Sequence, residues 1–116
     1  MSKVEIYGIA SCDTVKKARQ WLDGAGIDYV FHDYKKQGVP EVHLKAWIAD
    51  RGWESILNKR GTSFRKLPDS DKQGIDPAKA EQLLLANPSM IKRPIVEYAG
   101  GLLVGFDAEA WAAALR

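Results

Sequence analysis

The stretch VEIYGIASCDTVKKARQWLDGAGIDYVFHDY, residues 4–34, decides the fold. At its start, successive side chains alternate between two sides of an extended chain, with Val4 and Ile6 on the same side. This alternation predicts a strand over residues 3–8. It closes with aromatic and β-branched residues, which predict a second strand over residues 28–34. Two strands of this kind bracket whatever structure the residues between them adopt.

The residues between the two strands have helical spacing. Val15, Ala18 and Leu22 recur at intervals of three and four, which predicts an amphipathic helix over residues 12–24. Glycines 24 and 26 follow and are typical of a helix C-terminus. A strand, a helix and a strand in about 30 residues form a βαβ unit, which requires parallel strands and a right-handed crossover.

The rest of the chain divides into a helical part and a strand part. Residues 38–92 contain helix start and stop signals and little strand pattern, so they are predicted to be a helical insertion. Residues 93–106 place two apolar runs around Ala99-Gly100-Gly101, which predicts a hairpin, and residues 107–116 predict a final helix. The expected fold class is therefore α/β: a thioredoxin-like, four-stranded mixed sheet of order βαβ … ββα with an inserted helical subdomain.

Composition limits the function classes. A chain of 116 residues with 46% hydrophobic residues suits one domain, 1–116, and a net charge of +2 with interleaved signs does not favour nucleic acid as a partner. No apolar run approaches the roughly 20 residues that a membrane helix needs, and no signal-peptide pattern opens the chain, so a cytoplasmic protein without a membrane partner is expected. With one cysteine and two isolated histidines, we expect no metal site and no internal disulfide.

Cys12 is the first candidate for chemistry. It falls where the first strand has ended and the first helix begins, with Ser11 or Cys12 itself at the cap position. Backbone N–H groups and the positive end of the helix dipole favour an anion there, and the thiolate is the reactive form of cysteine. The alternative is a buried, inert thiol that acts as a small hydrophobic residue. The position alone leaves these two interpretations open.

Two basic clusters are the other candidates. Residues 58–66, NKRGTSFRK, include Arg60, and residues 91–96, IKRPIV, place Arg93 directly before Pro94. Arginine binds carboxylates and oxyanions through two parallel hydrogen bonds, whereas Lys66 and Lys92 are expected to be solvated surface charges. A proline at the start of an apparently central strand removes a backbone donor, and a cis X-Pro bond in a tight turn is one explanation.

These features together resemble the arsenate reductase (ArsC) family, which also contains the Spx regulators. IYGIASCDTVKKARQWL is similar to the family's first strand, cysteine loop and helix, and NKRGTSFRKL is similar to its central basic segment. RPIVEYAGGLLVGF resembles the family's Arg-Pro-Ile hairpin, in which the proline is cis. The resemblance covers nearly the whole chain and is strongest to the YffB branch, whose members are suggested to be glutathione-dependent thiol reductases.

The resemblance implies a set of site residues. Cys12 matches the nucleophile, and Arg93 and Arg60 match family arginines, so these three are the expected catalytic residues. Substrate binding is expected from Arg60 and Arg93 again and from Pro94, Ser11 and Asn58. No bound cofactor or metal is implied. The implied partners are glutathione as co-substrate, a small-molecule or protein disulfide, and glutaredoxin.

The chain departs from the family pattern before the cysteine, where arsenate reductases have Asn-Pro and this chain has Gly8-Ile9, and at three further positions. Arsenate reductases carry arginines where this chain has Asn58 and Gly105, so the set of arginines that binds arsenate in those enzymes is incomplete in this chain. Redox-active Spx proteins carry a second cysteine where this chain has Val15. We therefore expect a glutathione-dependent thiol reductase whose cysteine adduct is resolved by an external thiol. The alternatives are an arsenate reductase and a non-enzymatic, Spx-like regulator that binds RNA polymerase.

Overall fold

The structure, a computed structural model, describes residues 4–116 and divides into two compact units. The first unit comprises the chain up to Gln37 together with Arg93–Arg116, and the second comprises Gly38–Lys92. The second unit spans the stretch for which a helical insertion is predicted. That the whole chain forms a single domain stays a prediction.

The first unit is built on a four-stranded sheet of order β2-β1-β3-β4. Its strands are β1 (Val4–Gly8), β2 (Tyr29–Asp33), β3 (Ile95–Tyr98) and β4 (Gly101–Val104). β1 and β2 are parallel, whereas β3 is antiparallel to both β1 and β4. This confirms the predicted mixed sheet. Of the predicted first strand, residue 3 lies outside the described residues.

The strand register brings four chain segments to one end of the sheet, here called the Gly8 end. Gly8 is paired with Asp33, so β1 and β2 finish side by side. Ile95, which opens β3, is paired with Tyr7 and with Val104, the last residue of β4. The residues that follow β1, β2 and β4, and those that precede β3, therefore all start from this end.

Eight helices join these strands among the described residues. They are α1 (Asp13–Gly24), α2 (Tyr34–Gln37), α3 (Glu41–Arg51), α4 (Trp53–Ile56), α5 (Thr62–Arg65), α6 (Asp69–Lys72), α7 (Pro77–Ala86) and α8 (Ala108–Leu115). A 3₁₀ turn at Pro88–Met90 follows α7. The four-residue helices α2 and α6 were not predicted, because one turn is too short to show a helical period.

Helix α1 packs on the sheet through the face that its spacing predicts. Val15, Ala18 and Leu22 are fully buried. The last two share a core with residues of β1, β3 and α8, namely Val4, Ile6, Val96 and Trp111. Burying one such aliphatic side chain contributes about 1.5–3 kcal/mol, so this face fixes α1, and the loop before it, against β1.

Side-chain caps begin two of the helices. Asp107 accepts hydrogen bonds from the backbone N–H groups of Glu109 and Ala110 at the start of α8. Asp76 accepts one from Lys79 N (2.8 Å) at the start of α7, with Pro77 as the first helical residue. Each cap satisfies N–H groups that have no partner within the helix.

The second unit has its own buried residues. Leu44, Trp47 and Ile48 of α3 are buried, and so are Ala80 and Leu84 of α7. Leu83 is only half-buried, because it lies about 100° around the helix from Leu84. No helix within residues 4–116 is both long and apolar enough to cross a membrane.

Candidate active site

Cys12 lies at the N-terminus of α1, on the loop that leaves the Gly8 end of the sheet. It is the N-cap residue, with extended backbone angles, and its side chain is half-buried. Its N–H donates to Ile9 O (3.0 Å) and its carbonyl accepts from Lys16 N (2.9 Å). The backbone of the cysteine is therefore held both by the loop and by the first turn of the helix.

Gly8 allows α1 to approach the end of β1. A Cβ atom at this position would lie 2.8 Å from Cγ2 of Val15, a β-branched side chain that is fully buried and cannot easily move aside. A residue without a side chain is thus required where the strand passes under the first turn of α1, four residues before Cys12.

The surroundings of Cys12 favour its thiolate. Burial raises the pKa of the Cys12 thiol, but the backbone N–H of Val15, the Arg93 guanidinium and the backbone N–H of Thr14 outweigh it, so the pKa is lowered overall. Thr14 therefore contributes through its backbone N–H group. A lowered pKa increases the fraction of nucleophilic thiolate near neutral pH.

Arg93 reaches Cys12 from the segment before β3. Its side chain hydrogen-bonds the Cys12 sulfur and also acts on it as a positive charge. The Arg93–Pro94 peptide bond is cis, as the resemblance implied. Pro94 is buried, and its carbonyl accepts a hydrogen bond from Gly105 N (2.8 Å), which joins this segment to the end of β4. The arginine is thus carried by a fixed backbone at the Gly8 end.

Tyr7, Glu97 and Tyr34 form a polar cluster that the sequence did not indicate, and Arg93 acts on its Tyr34 member. The Tyr7 hydroxyl donates to Glu97 Oε1 (2.7 Å), and burial together with this carboxylate raises the pKa of Tyr7. Burial likewise raises the pKa of Tyr34, on which Tyr7, Arg93 and Glu97 also act. The available signal was the position of Tyr34 at the end of the predicted second strand, residues 28–34, since the carboxyl ends of parallel strands often carry functional residues.

The sheet next to this cluster carries a second polar pair. His32 contacts Glu5 Oε1 through Nε2 (2.6 Å) and Gln37 Oε1 through Nδ1 (3.2 Å). The His32 ring stacks on Tyr7, with 4.5 Å between the ring centroids. Glu5 and Glu97 are directly opposed on β1 and β3, so His32 and Tyr7 offset a repulsion between neighbouring carboxylates.

Asn58 and Arg60 are brought together in the second unit. The Arg60 N–H donates to Asn58 Oδ1 (3.2 Å), and both residues line a cavity of about 440 Å³. We call this cavity, lined by Glu54, Leu57, Asn58, Lys59, Arg60 and Lys92, the basic cavity. Three cations against one carboxylate give it a positive balance, which suits an anionic ligand. Lys92 was expected to be a solvated surface charge, and no sequence pattern indicated that it would line this cavity.

The predicted site residues therefore fall into two sets, one in each unit. Cys12 and Arg93 are in contact in the first unit, with Ser11 exposed beside the cysteine and Pro94 buried beside the arginine. Asn58 and Arg60 form the second set, in the basic cavity. The catalytic and binding roles assigned to these residues from the sequence stay predictions.

Comparison with known proteins identifies the family. The model of the ArsC family matches residues 7–114 of this chain. The chain belongs to the ArsC family. The resemblance seen in the three motifs is thereby confirmed, and with it the thioredoxin-like class of the fold.

Solved structures of ArsC-family proteins are similar to this chain over almost its full length. The structure of the YffB protein is 53% identical, with a TM-score of 0.95, and the match covers 98% of this chain and 100% of that one. An arsenate reductase (ArsC) related protein from Brucella melitensis is 50% identical, with a TM-score of 0.77, and the match covers 98% and 96%. The predicted likeness to the YffB branch is supported by the first of these.

Curated relatives include a regulator. An uncharacterised protein of Haemophilus influenzae is 39% identical, and the match covers 96% of this chain and 97% of that protein. The global transcriptional regulator Spx of Streptococcus pyogenes is 27% identical, and the match covers 91% and 80%. The proteins similar to this chain thus include one described as a regulator and one described as arsenate reductase related.

Proposed function

We propose that this protein is a thiol reductase that uses glutathione as co-substrate and Cys12 as its nucleophile. The observation that carries the proposal is the contact of the Cys12 sulfur with Arg93 and with two backbone N–H groups of α1, which lowers the thiol pKa. An inert structural cysteine has no need of a cation and two donors directed at its sulfur. Membership of the ArsC family and likeness to reductase-related structures support the same chemistry.

The reaction has two exchange steps. The Cys12 thiolate attacks the glutathione sulfur of a mixed disulfide; a bond forms between these two sulfurs, the old S–S bond breaks, and its electron pair leaves on the substrate thiolate, which takes a proton from water. A glutathione thiolate then attacks the glutathione sulfur held on Cys12 and releases glutathione disulfide and the Cys12 thiolate. Because Cys12 is the chain's only cysteine, the second step requires a thiol from outside.

Arg93 serves both steps of this reaction. It stabilises the attacking thiolate in the first step and the same thiolate as the leaving group in the second. Backbone groups beside Pro94 and the Ser11 side chain are proposed to hold the peptide-like part of glutathione. The two carboxylates of glutathione are proposed to bind arginine, including Arg60 in the basic cavity beside Asn58. A reducing cytoplasm is the proposed location, since glutathione is kept reduced there.

Replacing the nucleophile tests the proposal. Cys12→Ser keeps the size of the side chain, and we expect it to abolish reduction of a glutathione mixed disulfide in an assay coupled to glutathione reductase. Mass spectrometry of the wild-type protein treated with glutathione disulfide should show one glutathione on Cys12. If a Cys12→Ser variant with unchanged thermal unfolding still reduces the mixed disulfide, Cys12 is not the nucleophile and the proposed function is wrong.

Arsenate reduction is a second candidate because a 50% identical structure is described as arsenate reductase related. It would use the same cysteine, with glutathione and glutaredoxin supplying the electrons. Arsenate-dependent consumption of NADPH in a system of glutathione, glutaredoxin and glutathione reductase decides it. A rate of arsenate reduction equal to that of the same system without the protein rejects this candidate. If the Asn58→Arg variant reduces arsenate and the wild type does not, the missing arginine explains why the wild type is inactive.

Regulation without catalysis is favoured by the Spx relative. In that case the protein would bind RNA polymerase, and Cys12 would be incidental. Co-purification with the polymerase α subunit, retained by Cys12→Ala, is the outcome that supports this candidate. A wild-type protein that reduces mixed disulfides and does not bind the α subunit excludes it.

A further inference from the structure

Tyr34 lies at the same end of the sheet as the cysteine and the arginine, yet neither the family motifs nor the proposed reaction uses it. It directly follows Asp33, the residue paired with Gly8 at the end of β1. Its side chain is only 2% exposed. A bulky polar residue is therefore enclosed at the Gly8 end of the sheet, from which the loop that carries Cys12 also starts.

The Tyr34 hydroxyl is buried and has no hydrogen-bond partner among residues 4–116. A phenol can donate one hydrogen bond and accept two, and burying it without a partner costs free energy that phenylalanine would avoid. Buried polar groups left in this condition are rare enough to require an explanation. One explanation is that the hydroxyl finds its partner in another state of the protein.

The charged and titratable groups that act on the Tyr34 hydroxyl indicate which partner is available to it. Tyr7, Arg93 and Glu97 are the titratable groups that act on it. The Tyr7 hydroxyl already donates to Glu97 at 2.7 Å. Arg93 is the cation of this set, and its guanidinium can only donate hydrogen bonds, so it is the group suited to the Tyr34 oxygen as an acceptor.

We propose that the Tyr34 hydroxyl is a second acceptor for Arg93, used whenever Cys12 carries no negative charge. When Cys12 is a thiolate, the guanidinium donates to the sulfur. When the sulfur is protonated or bonded to glutathione, it is a poor acceptor, and the guanidinium donates to the Tyr34 oxygen instead. Tyr34 is thus a positioning residue that acts through Arg93, and the part concerning the glutathione adduct rests on the proposed function.

This arrangement fixes the sign of two measurable changes. Tyr34 stabilises the thiol and the adduct relative to the thiolate, so its removal favours the thiolate. In Tyr34→Phe the pKa of Cys12 should fall further by about half to one unit, which is about a three- to tenfold change in the equilibrium. At a pH above the Cys12 pKa, the equilibrium constant for forming the adduct from glutathione disulfide should fall by a similar factor.

The experiment compares Tyr34→Phe with the wild type and with Tyr29→Phe. The control removes the same atom from the opposite end of β2, where the Tyr29 hydroxyl accepts from Arg19 Nε (3.3 Å). Iodoacetamide alkylation rates against pH give the Cys12 pKa, and mass spectrometry in glutathione buffers gives the adduct constant. Thermal unfolding of Tyr34→Phe should be equal to or above that of the wild type, because an unpaired buried hydroxyl has been removed.

Each outcome bears on the proposal separately from the reductase assignment. A lowered Cys12 pKa in Tyr34→Phe but not in Tyr29→Phe supports the second acceptor. An unchanged pKa overturns it, since the hydroxyl is then inert or satisfied by water, and a raised pKa overturns it by showing that Tyr34 holds Arg93 towards the sulfur. If the wild type forms no glutathione adduct, the reductase assignment fails, while the alkylation measurement still decides the role of Tyr34.

Discussion

The Cys12 site and the basic cavity use positive charge in different ways. Arg93 has a buried Nε and contacts the sulfur directly, and together with two backbone N–H groups it lowers the pKa of the thiol. Lys59, Arg60 and Lys92 of the basic cavity are exposed. A cation held in a fixed, partly dry position changes the chemistry of its neighbour, whereas solvated cations attract an anion and are screened by salt. The first site is therefore suited to reaction and the second to binding.

Arg93→Ala should produce the largest effect of the variants that keep Cys12. A hydrogen bond to a charged group contributes about 1.5–3 kcal/mol, so kcat/KM for a glutathione mixed disulfide should fall about 10- to 100-fold. The Cys12 pKa should rise towards the free value of about 8.5, so that alkylation requires a higher pH. Rates of turnover and of alkylation against pH measure the two effects.

Arg93→Lys is the matched control, because it keeps the charge and loses the planar fork. Compared with Arg93→Ala, this variant should restore part of the lowering of the Cys12 pKa and a smaller part of kcat/KM. If the pH dependence of Cys12 alkylation does not change in Arg93→Ala, the arginine acts only in binding. The Cys12 site and the basic cavity would then not differ in the way described.

How far the sequence could predict this site depends on the range of the interactions. The helical spacing of Val15, Ala18 and Leu22 is local, and it correctly placed Cys12 at the start of α1. The burial of Tyr34 depends on the register between strands, which no local pattern contains. Lys92 is separated by more than thirty residues from its companions in the basic cavity, so its single position in the sequence resembled ordinary surface charge.

The fold was more predictable than the site for the same reason. Alternation and turn residues are repeated signals, and they located all four strands of the described sheet. One-turn helices such as α2 (Tyr34–Gln37) offer no repeat. The N–H groups of Thr14 and Val15 that approach the sulfur are backbone atoms, which every residue possesses, so residue type could not single them out.

Gly8→Ala should have the next largest effect and tests whether the Cys12 site depends on a fixed backbone. The added Cβ would meet Cγ2 of the buried Val15 at 2.8 Å, and overpacking of this kind costs about 1–3 kcal/mol of unfolding free energy. Displacement of the first turn of α1 should also raise the Cys12 pKa. Urea unfolding and the alkylation profile measure both changes.

Gly24→Ala is the control for the glycine substitution. Gly24 ends α1, and a Cβ there would meet nothing within 4 Å, so this change should stabilise the protein by up to about 1 kcal/mol. If Gly8→Ala unfolds like the wild type and keeps its Cys12 pKa, the backbone at the end of β1 does not hold the sulfur in place.

Arg60→Ala should have the smallest effect, and it tests whether the basic cavity differs from the Cys12 site by acting only in binding. An exposed ion pair contributes about 0.2–1 kcal/mol, so KM for glutathione should rise only about 1.5- to 5-fold, with kcat little changed. The difference from the wild type should shrink as salt is added, because exposed charges are screened. Lys66→Ala, an exposed cation of the same sequence segment outside the cavity lining, is the control and should leave KM unchanged. A decrease in kcat that persists at high salt would instead mean that Arg60 takes part in the reaction, as the family resemblance implied. The Cys12 site could then no longer be assigned to chemistry and the basic cavity to binding alone.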